Sequence, residues 1–288
     1  MSIFVNEKNK VVVQGATGHQ GVFHIGEMKS FGTKVVAGVT PGKQGEEVHS
    51  VPIFNSVKKA VNETGADTSL VLVPARFAKD AVFEALDAEI KTVVVITENI
   101  PFHDAMDFVH YAKYKNAVLI GPNSPGIASP GKTKIGILPG GIFLEGEVGV
   151  ASRSGTLTYE IVNSLKEKNI GQSTCVGLGG DPIIGTNFIE ALNAFEKDNE
   201  TKAVVLVGEI GGTAEEDAAE YIKENISKPV FAFIAGRTAP PGKRMGHAGA
   251  IIARGKGTAE SKIKAFEKAD VKLAKFPTDI ADLVEEHV

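Results

Sequence analysis

The feature that most constrains this chain is a rhythm of short, largely apolar runs separated by helical stretches. Apolar runs at 10–14, 34–39, 69–73, 93–96 and 117–120 alternate with helical patterns leading up to residue 30 and over 57–64, 78–88 and 103–115. Runs with little polar alternation are buried on both faces, and a strand–helix–strand order closes into a parallel sheet covered by helices on both sides. The order begins again with strands at 148–151, 173–176, 203–207 and 229–234 and helices at 157–168, 187–196, 214–224 and 258–268. Between the two series, 121–141 is dense in Pro and Gly and reads as a junction, with the domain boundary near its start. The halves share an architecture without a residue-level repeat. A length of 288 residues and a hydrophobic content of 43% suffice for two such cores.

Charge and composition exclude several classes. A net charge of −4 does not indicate a nucleic-acid surface. No apolar run approaches the ~20 residues of a membrane span, and the opening MSIFVNEKNK has no leader pattern, so a cytoplasmic location is expected. Cys175 is the single cysteine, which rules out an intramolecular disulfide and reads as a small buried core residue. His19, His24, His49, His103, His110 and His287 show no zinc-ligand spacing, and no metal site is expected on this chain. G-x-S-x-G does not occur.

The first strand runs into GATGHQG, Gly15 to Gly21, and then a helix. Strand, glycine turn and helix start together cradle phosphate, because backbone N–H groups face the anion. The spacing is G-x-x-G-x-x-G, not the G-x-G-x-x-G of dinucleotide sites, and the second strand ends in TPGK where an NAD site wants an acid. Lys43 suits a phosphate there, so NADP or a coenzyme A nucleotide fits and plain NAD fits poorly. A turn glycine needed only for packing is the competing reading. Gln20, Lys43 and Thr97 all follow strand ends, where ligands of doubly wound sheets sit. Glu98 has the alternative reading of an ordinary loop acid.

In the second half, SRSGT follows a strand and opens a helix. Ser154 is a plausible cap, Ser152 and Thr156 offer hydroxyls and Arg153 adds a charge. A capped helix without a ligand accounts for the same residues. The run GRTAPPGKRMGHAG, from Gly236 to Gly249, sets His247 among glycines just after two cations, Lys243 and Arg244, and 250–253 reads as a helix start. A neutral imidazole is a good nucleophile near neutral pH, so His247 is a candidate phosphoryl carrier. A surface His in a flexible turn is the competing reading of the loop alone. Glu209 ends the strand before the one that feeds this loop and is the candidate orienter of the ring. Glu215, Glu216 and Asp217 read as the first turn of a helix, where acids are favourable.

QGATGHQG, GVTPGK, ITENIP, GPNSPGI, SRSGTLTYE, GGDPIIGTNF, GEIGG and GKRMGHAGAI, in this order, resemble the alpha-subunit family of succinate–CoA ligases (succinyl-CoA synthetases) from end to end. The resemblance implies an α/β chain with an N-terminal Rossmann-like CoA-binding domain, 1–122, and a flavodoxin-like doubly wound ligase domain, 123–288, carrying a phosphohistidine loop. It implies that Thr17, Gly18, His19, Gln20, Lys43, Ile96, Thr97 and Glu98 contact CoA. It makes His247 the phosphorylated residue beside Glu209, with Ser154 and Gly155 as the phosphate-holding helix start and Tyr159 as a substrate contact shared with a partner chain. The implied reaction converts succinyl-CoA, phosphate and ADP or GDP into succinate, CoA and the nucleoside triphosphate. The nucleotide and Mg2+ are expected on a beta subunit, in a heterodimer or heterotetramer of a bacterial or archaeal cytoplasm. Two departures stand out: Ser124 where the family often has Cys, so no thiol chemistry is needed there, and His19 in place of a more usual Ser. A malate–CoA ligase or related acyl-CoA ligase is the nearest alternative. An NADP-dependent oxidoreductase and a non-catalytic CoA-sensing module are alternatives of other classes.

Overall fold

A computed structural model describes residues 2–240, 242–252 and 256–287. The chain divides into two compact units, Phe4–Gly140 with Ile183–Gly185, and Gly141–Pro182 with Thr186–Val288 and Met1–Ile3.

The first unit runs β1 (Lys10–Gln14), α1 (His19–Ser30), β2 (Lys34–Val39), β3 (Glu47–Val48), β4 (Val51–Phe54), α2 (Val57–Thr64), β5 (Thr68–Val71), α3 (Ala75–Asp87), β6 (Thr92–Val95), α4 (Phe102–Tyr114), β7 (Val118–Ile120), β8 (Gly126–Ser129) and β9 (Thr133–Gly136). Its main sheet has the order β3-β4-β2-β1-β5-β6-β7 and is parallel apart from the β3–β4 pair. This is the Rossmann order, with its switch point between β1 and β5. The β strands are buried throughout their middles, and α2, α3 and α4 pack side by side over one core that includes Val12, Val39, Val71, Val82, Val93 and Phe108. Ser56 caps α2 by accepting the Lys59 N–H at 3.3 Å, and Gly65, at φ 69°, ends it.

The second unit runs β10 (Glu145–Ser152), α5 (Gly155–Glu167), β11 (Gln172–Gly177), α6 (Phe188–Lys197), β12 (Ala203–Glu209), α7 (Ala214–Asn225), β13 (Val230–Ala235), α8 (Ala259–Lys268), β14 (Lys272–Leu273) and α9 (Asp279–Glu285). Within this unit the strand order is β14-β13-β12-β10-β11, all parallel. Counted from β10 this is the flavodoxin order, with its switch point between β10 and β12. Helices α6, α7 and α8 neighbour one another, and α5 neighbours α9. Asn187 and Glu190 start α6 with a reciprocal capping box.

Three expectations are corrected. Helix α1 begins at His19, so Gly21 lies in its first turn and not in the loop. A Cβ on Gly21 would fall 2.2 Å from the Gly15 carbonyl oxygen, so the residue is there for close packing. The Pro- and Gly-dense stretch holds the antiparallel β8–β9 hairpin, which the sequence reading left as a junction. Gly126 and Gly136, at φ 99° and 128°, let the two backbones meet where a Cβ on Gly126 would lie 2.1 Å from the Ile135 oxygen. Finally, 250–252 are not helical, and Ala253 lies outside the described residues. Their backbone bonds turn back on the preceding loop instead, with Gly242 N–H to Ile252 O at 3.1 Å and Met245 N–H to Ala250 O at 2.9 Å.

Candidate functional site

The rim of the first sheet carries one set of predicted residues. β1 ends at Gln14, and Gly15, at φ 84°, turns the chain while its N–H bonds the Val39 carbonyl at 2.9 Å. Thr17 Oγ1 and Thr40 Oγ1 lie 3.1 Å apart and tie the turns after β1 and β2 together. Gly18 is the N-cap of α1 and offers no side-chain acceptor, so the first-turn N–H groups remain available to an anion. His19 and Gln20 are exposed, and the Gln20 amide oxygen meets His24 Nε2 at 3.2 Å. Burial, then the charge of Lys134, holds His24 below the ordinary imidazole pKa, which favours the neutral ring with its Nε2–H donated to Gln20. Thr17 and His19 also line a cavity of about 920 Å3 with Phe23, Lys29, His49 and Ser50.

Lys43 follows β2 and is half exposed, paired to Glu46 at 2.9 Å, a partner the sequence reading did not name. Beyond β6, Ile96 N–H bonds the Val71 carbonyl at 3.2 Å, Thr97 Oγ1 donates to the Val73 carbonyl at 2.7 Å, and Glu98 is exposed. Thr17, Lys43 and Thr97 therefore share the carboxyl edge of one parallel sheet. Ser124 is buried and its Oγ accepts the Gly126 N–H at 2.9 Å, which gives it a place at the start of the hairpin.

The second sheet holds a different kind of site. β12 and β13 pair in parallel with Glu209 opposite Ala235, so the loop leaving β13 starts level with the Glu209 carboxylate. That loop returns His247 to it, with Nδ1 2.8 Å from Glu209 Oε2. A carboxylate only accepts, so Nδ1 carries the proton and Nε2 keeps its lone pair. The His247 side chain is 27% exposed and the Glu209 side chain 7%. The ring rests on Gly180, where a Cβ would lie 2.3 Å from His247 Cγ. The hydrogen bond to Glu209 raises the imidazole pKa; burial and Arg153 oppose the rise, and the Glu209 and Asp181 charges add to it.

Glu209 is itself braced. Its Oε1 is buried without a hydrogen bond and faces Arg153 Nη2 at 3.4 Å. Arg153 Nη1 reaches Glu215 Oε1 at 3.0 Å and the Gly211 carbonyl at 3.3 Å. Burial works against the Arg153 charge, but Glu215 and Glu209 outweigh it and raise the pKa. Glu215 Oε1 also accepts the Glu209 backbone N–H at 3.1 Å, and Glu215 Oε2 pairs with Lys262, which is fully buried. Lys262 further meets Glu216 at 3.1 Å.

Glu215 does stand in the first turn of α7, and it is buried there. It is buried because two buried cations surround it. The sequence reading also missed Lys262 and Gly180. For Lys262 a signal existed, since it stands with Ala259 and Phe266 at the buried positions of α8, where a lone Lys must find a carboxylate.

Ser154 caps α5, with Oγ accepting the Leu157 N–H at 3.4 Å and its own N–H bonded to Ser152 Oγ at 3.1 Å. Gly155 is the first residue of that helix. Tyr159, one turn on, is half-buried, and burial raises its phenol pKa. Among the described residues its hydroxyl has no hydrogen-bond partner. Lys243 and Arg244 are exposed and form no ion pair among the described residues. Among the described residues the cation paired with Glu209 is Arg153, with Nη2 3.4 Å from Oε1. Chemically, the second rim presents an oriented imidazole with a free Nε2, at the switch point of a doubly wound sheet.

Comparison with known proteins covers the whole chain. Residues 6–99 match the CoA binding domain family and residues 151–272 the CoA-ligase family. The chain is 61% identical over 286 residues to succinate–CoA ligase [ADP-forming] subunit alpha 2 of Archaeoglobus fulgidus, covering 99% of each. It is 57% identical over 286 residues to the corresponding alpha subunit of Aquifex aeolicus, covering 99% of this chain and 94% of that one. Among solved structures it resembles ATP citrate lyase from Methanothrix soehngenii in complex with citrate and coenzyme A, with a TM-score of 0.90 at 25% identity. That match covers 99% of this chain but only 50% of the lyase chain. With a CoA-binding domain in front of a CoA-ligase domain, and close identity along nearly its full length, this chain belongs to the succinate–CoA ligase alpha-subunit family.

Proposed function

We propose that this chain is the alpha subunit of an ADP- or GDP-forming succinate–CoA ligase and that His247 carries the phosphoryl group. The reading rests on one observation above all: Nδ1 of His247 is held 2.8 Å from a buried carboxylate while Nε2 is left with no partner among the described residues. Phosphate attacks the thioester carbonyl of succinyl-CoA, forming succinyl phosphate and expelling CoA as its thiolate. Nε2 attacks the phosphorus of succinyl phosphate; the P–O bond to the acyl oxygen breaks and succinate leaves. The positive charge that develops on the ring is met by Glu209 through the Nδ1 proton. The phosphoryl group then passes from Nε2 to a nucleoside diphosphate.

The functional division is a CoA-binding domain, 1–122, and a ligase domain, 123–288, a division by role and not by compact unit. In the first, Thr17, Gly18, His19 and Gln20 hold the CoA phosphates through the uncapped start of α1. Lys43 adds charge, and Ile96, Thr97 and Glu98 complete the rim. In the second, Ser154 and Gly155 present the start of α5 to phosphate, and Tyr159 offers its hydroxyl to substrate. Lys43 and the turn fit a 3′-phosphorylated nucleotide as well as they fit NADP, but an oxidoreductase has no use for the Glu209–His247 pair. Titration with CoA against nicotinamide cofactors separates the two, and kcat/KM for succinate against malate separates the acids. The nucleotide and its Mg2+ belong to a beta subunit in this reading, and the complex works in the cytoplasm. The test supplies the chain and its partner with labelled ATP or GTP and Mg2+. An acid-labile, base-stable adduct is expected; a His247→Asn variant that labels as well as the parent overturns the reading.

A further inference from the structure

Beneath the Glu209–His247 pair lie three more carboxylate–cation contacts, Arg153 to Glu209, Arg153 to Glu215 and Lys262 to Glu215, whose burial demands a reason. Arg153 and Glu209 side chains are each 7% exposed, and those of Glu215 and Lys262 are fully buried. The members come from separate elements: Glu209 ends β12, Arg153 follows β10, Glu215 sits in the first turn of α7 and Lys262 faces inward from α8. A buried ion pair is weak evidence for stability, because desolvation cancels much of the attraction and an apolar packing would serve as well. This set is also shaped around its neighbours. Gly208 is needed because a Cβ there would lie 2.6 Å from Glu215 Cγ, and a Cβ on Gly249, two residues past His247, would lie 3.0 Å from Arg153 Nη2. One guanidinium therefore faces both carboxylates, beside a position of the histidine loop that has no side chain.

We propose that Glu215 and Lys262 are positioning residues for phosphoryl transfer: they hold the Arg153 guanidinium where it braces the Glu209 carboxylate against Nδ1 of His247. Glu215 divides the attraction of Arg153. With Glu215 engaged by Nη1, the Nη2 contact to Glu209 stays at 3.4 Å, beyond a full hydrogen bond, and Glu209 keeps its other oxygen for the ring. Lys262 in turn balances the second carboxylate and also meets the partly exposed Glu216, so the four buried groups Glu209, Arg153, Glu215 and Lys262 carry no net charge among themselves. The charged groups acting on His247 are Glu209 from β12, Arg153 from the β10 turn and Asp181 from the loop after β11.

The inference rests on His247 being the phosphoryl carrier, and the test reads the ring independently of that. The imidazole of His247 is titrated by NMR in the full chain, and phosphohistidine formation is measured with the partner subunit and nucleotide. The double variant Glu215→Gln/Lys262→Met removes one charge of each sign, leaving Arg153 with Glu209, while the partly exposed Glu216 keeps its hydrogen bond from Ser261 Oγ. It frees Arg153 to bond Glu209 fully, and the His247 midpoint is expected to fall by about one pH unit. Labelling is expected to slow about tenfold, a fraction of the ~100-fold that a 1 Å misplacement costs. Arg153→Lys, which keeps the charge but loses the fork, is expected to move the midpoint too, while Lys262→Arg retains the parent midpoint. A folded double variant or Arg153→Lys protein with the parent midpoint and labelling rate overturns the proposal and leaves the buried charges a purely structural role. Should the parent chain itself fail to label while its midpoint moves in the variants, the phosphoryl-carrier reading falls and the bracing stands.

Discussion

The rims of the two sheets use the same strand-to-helix turn and treat charge in opposite ways. In the first unit the candidate groups lie in water: Gly18, His19 and Gln20 are exposed, and Lys43 pairs with Glu46 while both stay half exposed. In the second, Glu209, Arg153, Glu215 and Lys262 are buried and compensate one another. A surface that captures a large, multiply charged substrate needs backbone donors and screened charge, so that it also releases it. A nucleophile that must meet developing charge needs fixed partners that do not reorganise. The same fold logic thus yields a soft site and a stiff one.

The largest effect that would break this comparison is at Glu209. Glu209→Gln removes the carboxylate that sets the tautomer, and phosphohistidine formation is expected to fall on the order of 10,000-fold, by analogy with loss of the orienting acid in catalytic triads. CoA affinity, measured by calorimetry, stays at the parent value. Next comes the floor under the ring. In Gly180→Ala a Cβ would meet His247 Cγ at 2.3 Å, so the ring must move. Labelling is expected to drop about 100-fold in a protein that still unfolds cooperatively; parent-like labelling would mean that the loop yields and the site is softer than its burial indicates.

Lys43→Glu should act on the first rim alone. About tenfold weaker CoA binding is expected, an effect that shrinks with added salt because the residue is exposed, while labelling from the nucleotide is untouched. Loss of both together would point to misfolding.

The smallest effect is the pH dependence. Transfer to Nε2 needs the neutral ring, so the labelling rate should rise with pH through a midpoint above the ordinary imidazole value of about 6.5. Stability runs the other way. A pKa raised on folding stabilises fully below the unfolded value and is lost as pH rises through the folded one. Urea unfolding should therefore give a difference between the parent and His247→Asn that is fully present below the ordinary imidazole value of about 6.5 and narrows as the pH rises above it. A constant difference would mean that Glu209 does not favour the imidazolium.

Much of the fold was legible because parallel strands advertise themselves as apolar runs between helices. Residues 10–14, 34–39 and 57–64 coincide with β1, β2 and α2. The β8–β9 hairpin was hidden because its glycines, which read as a linker, are what allow its backbones to touch. The 250–252 segment deceived for a related reason: its residues suit a helix, but its N–H and C=O groups found partners in the loop before it. At the candidate site, Glu209 and His247 were placed near each other by strand adjacency alone. The bracing set was not, since Arg153, Glu215 and Lys262 lie 62 and 47 positions apart and nothing local links them.

By itself the sequence determined the class of fold, the turns at the strand ends of the two halves and the chemical types available at each: glycines and a lysine on one, a histidine and a strand-end acid on the other. Those follow from periodicity and from residue chemistry, which act over a few neighbouring positions. Which nitrogen of His247 is free, how far Glu209 stands from it and which charges lie buried beneath were decided only by tertiary packing. Distances between elements, and the desolvation that gives buried charges their strength, exist only once β10, β12, α7 and α8 have closed around one another.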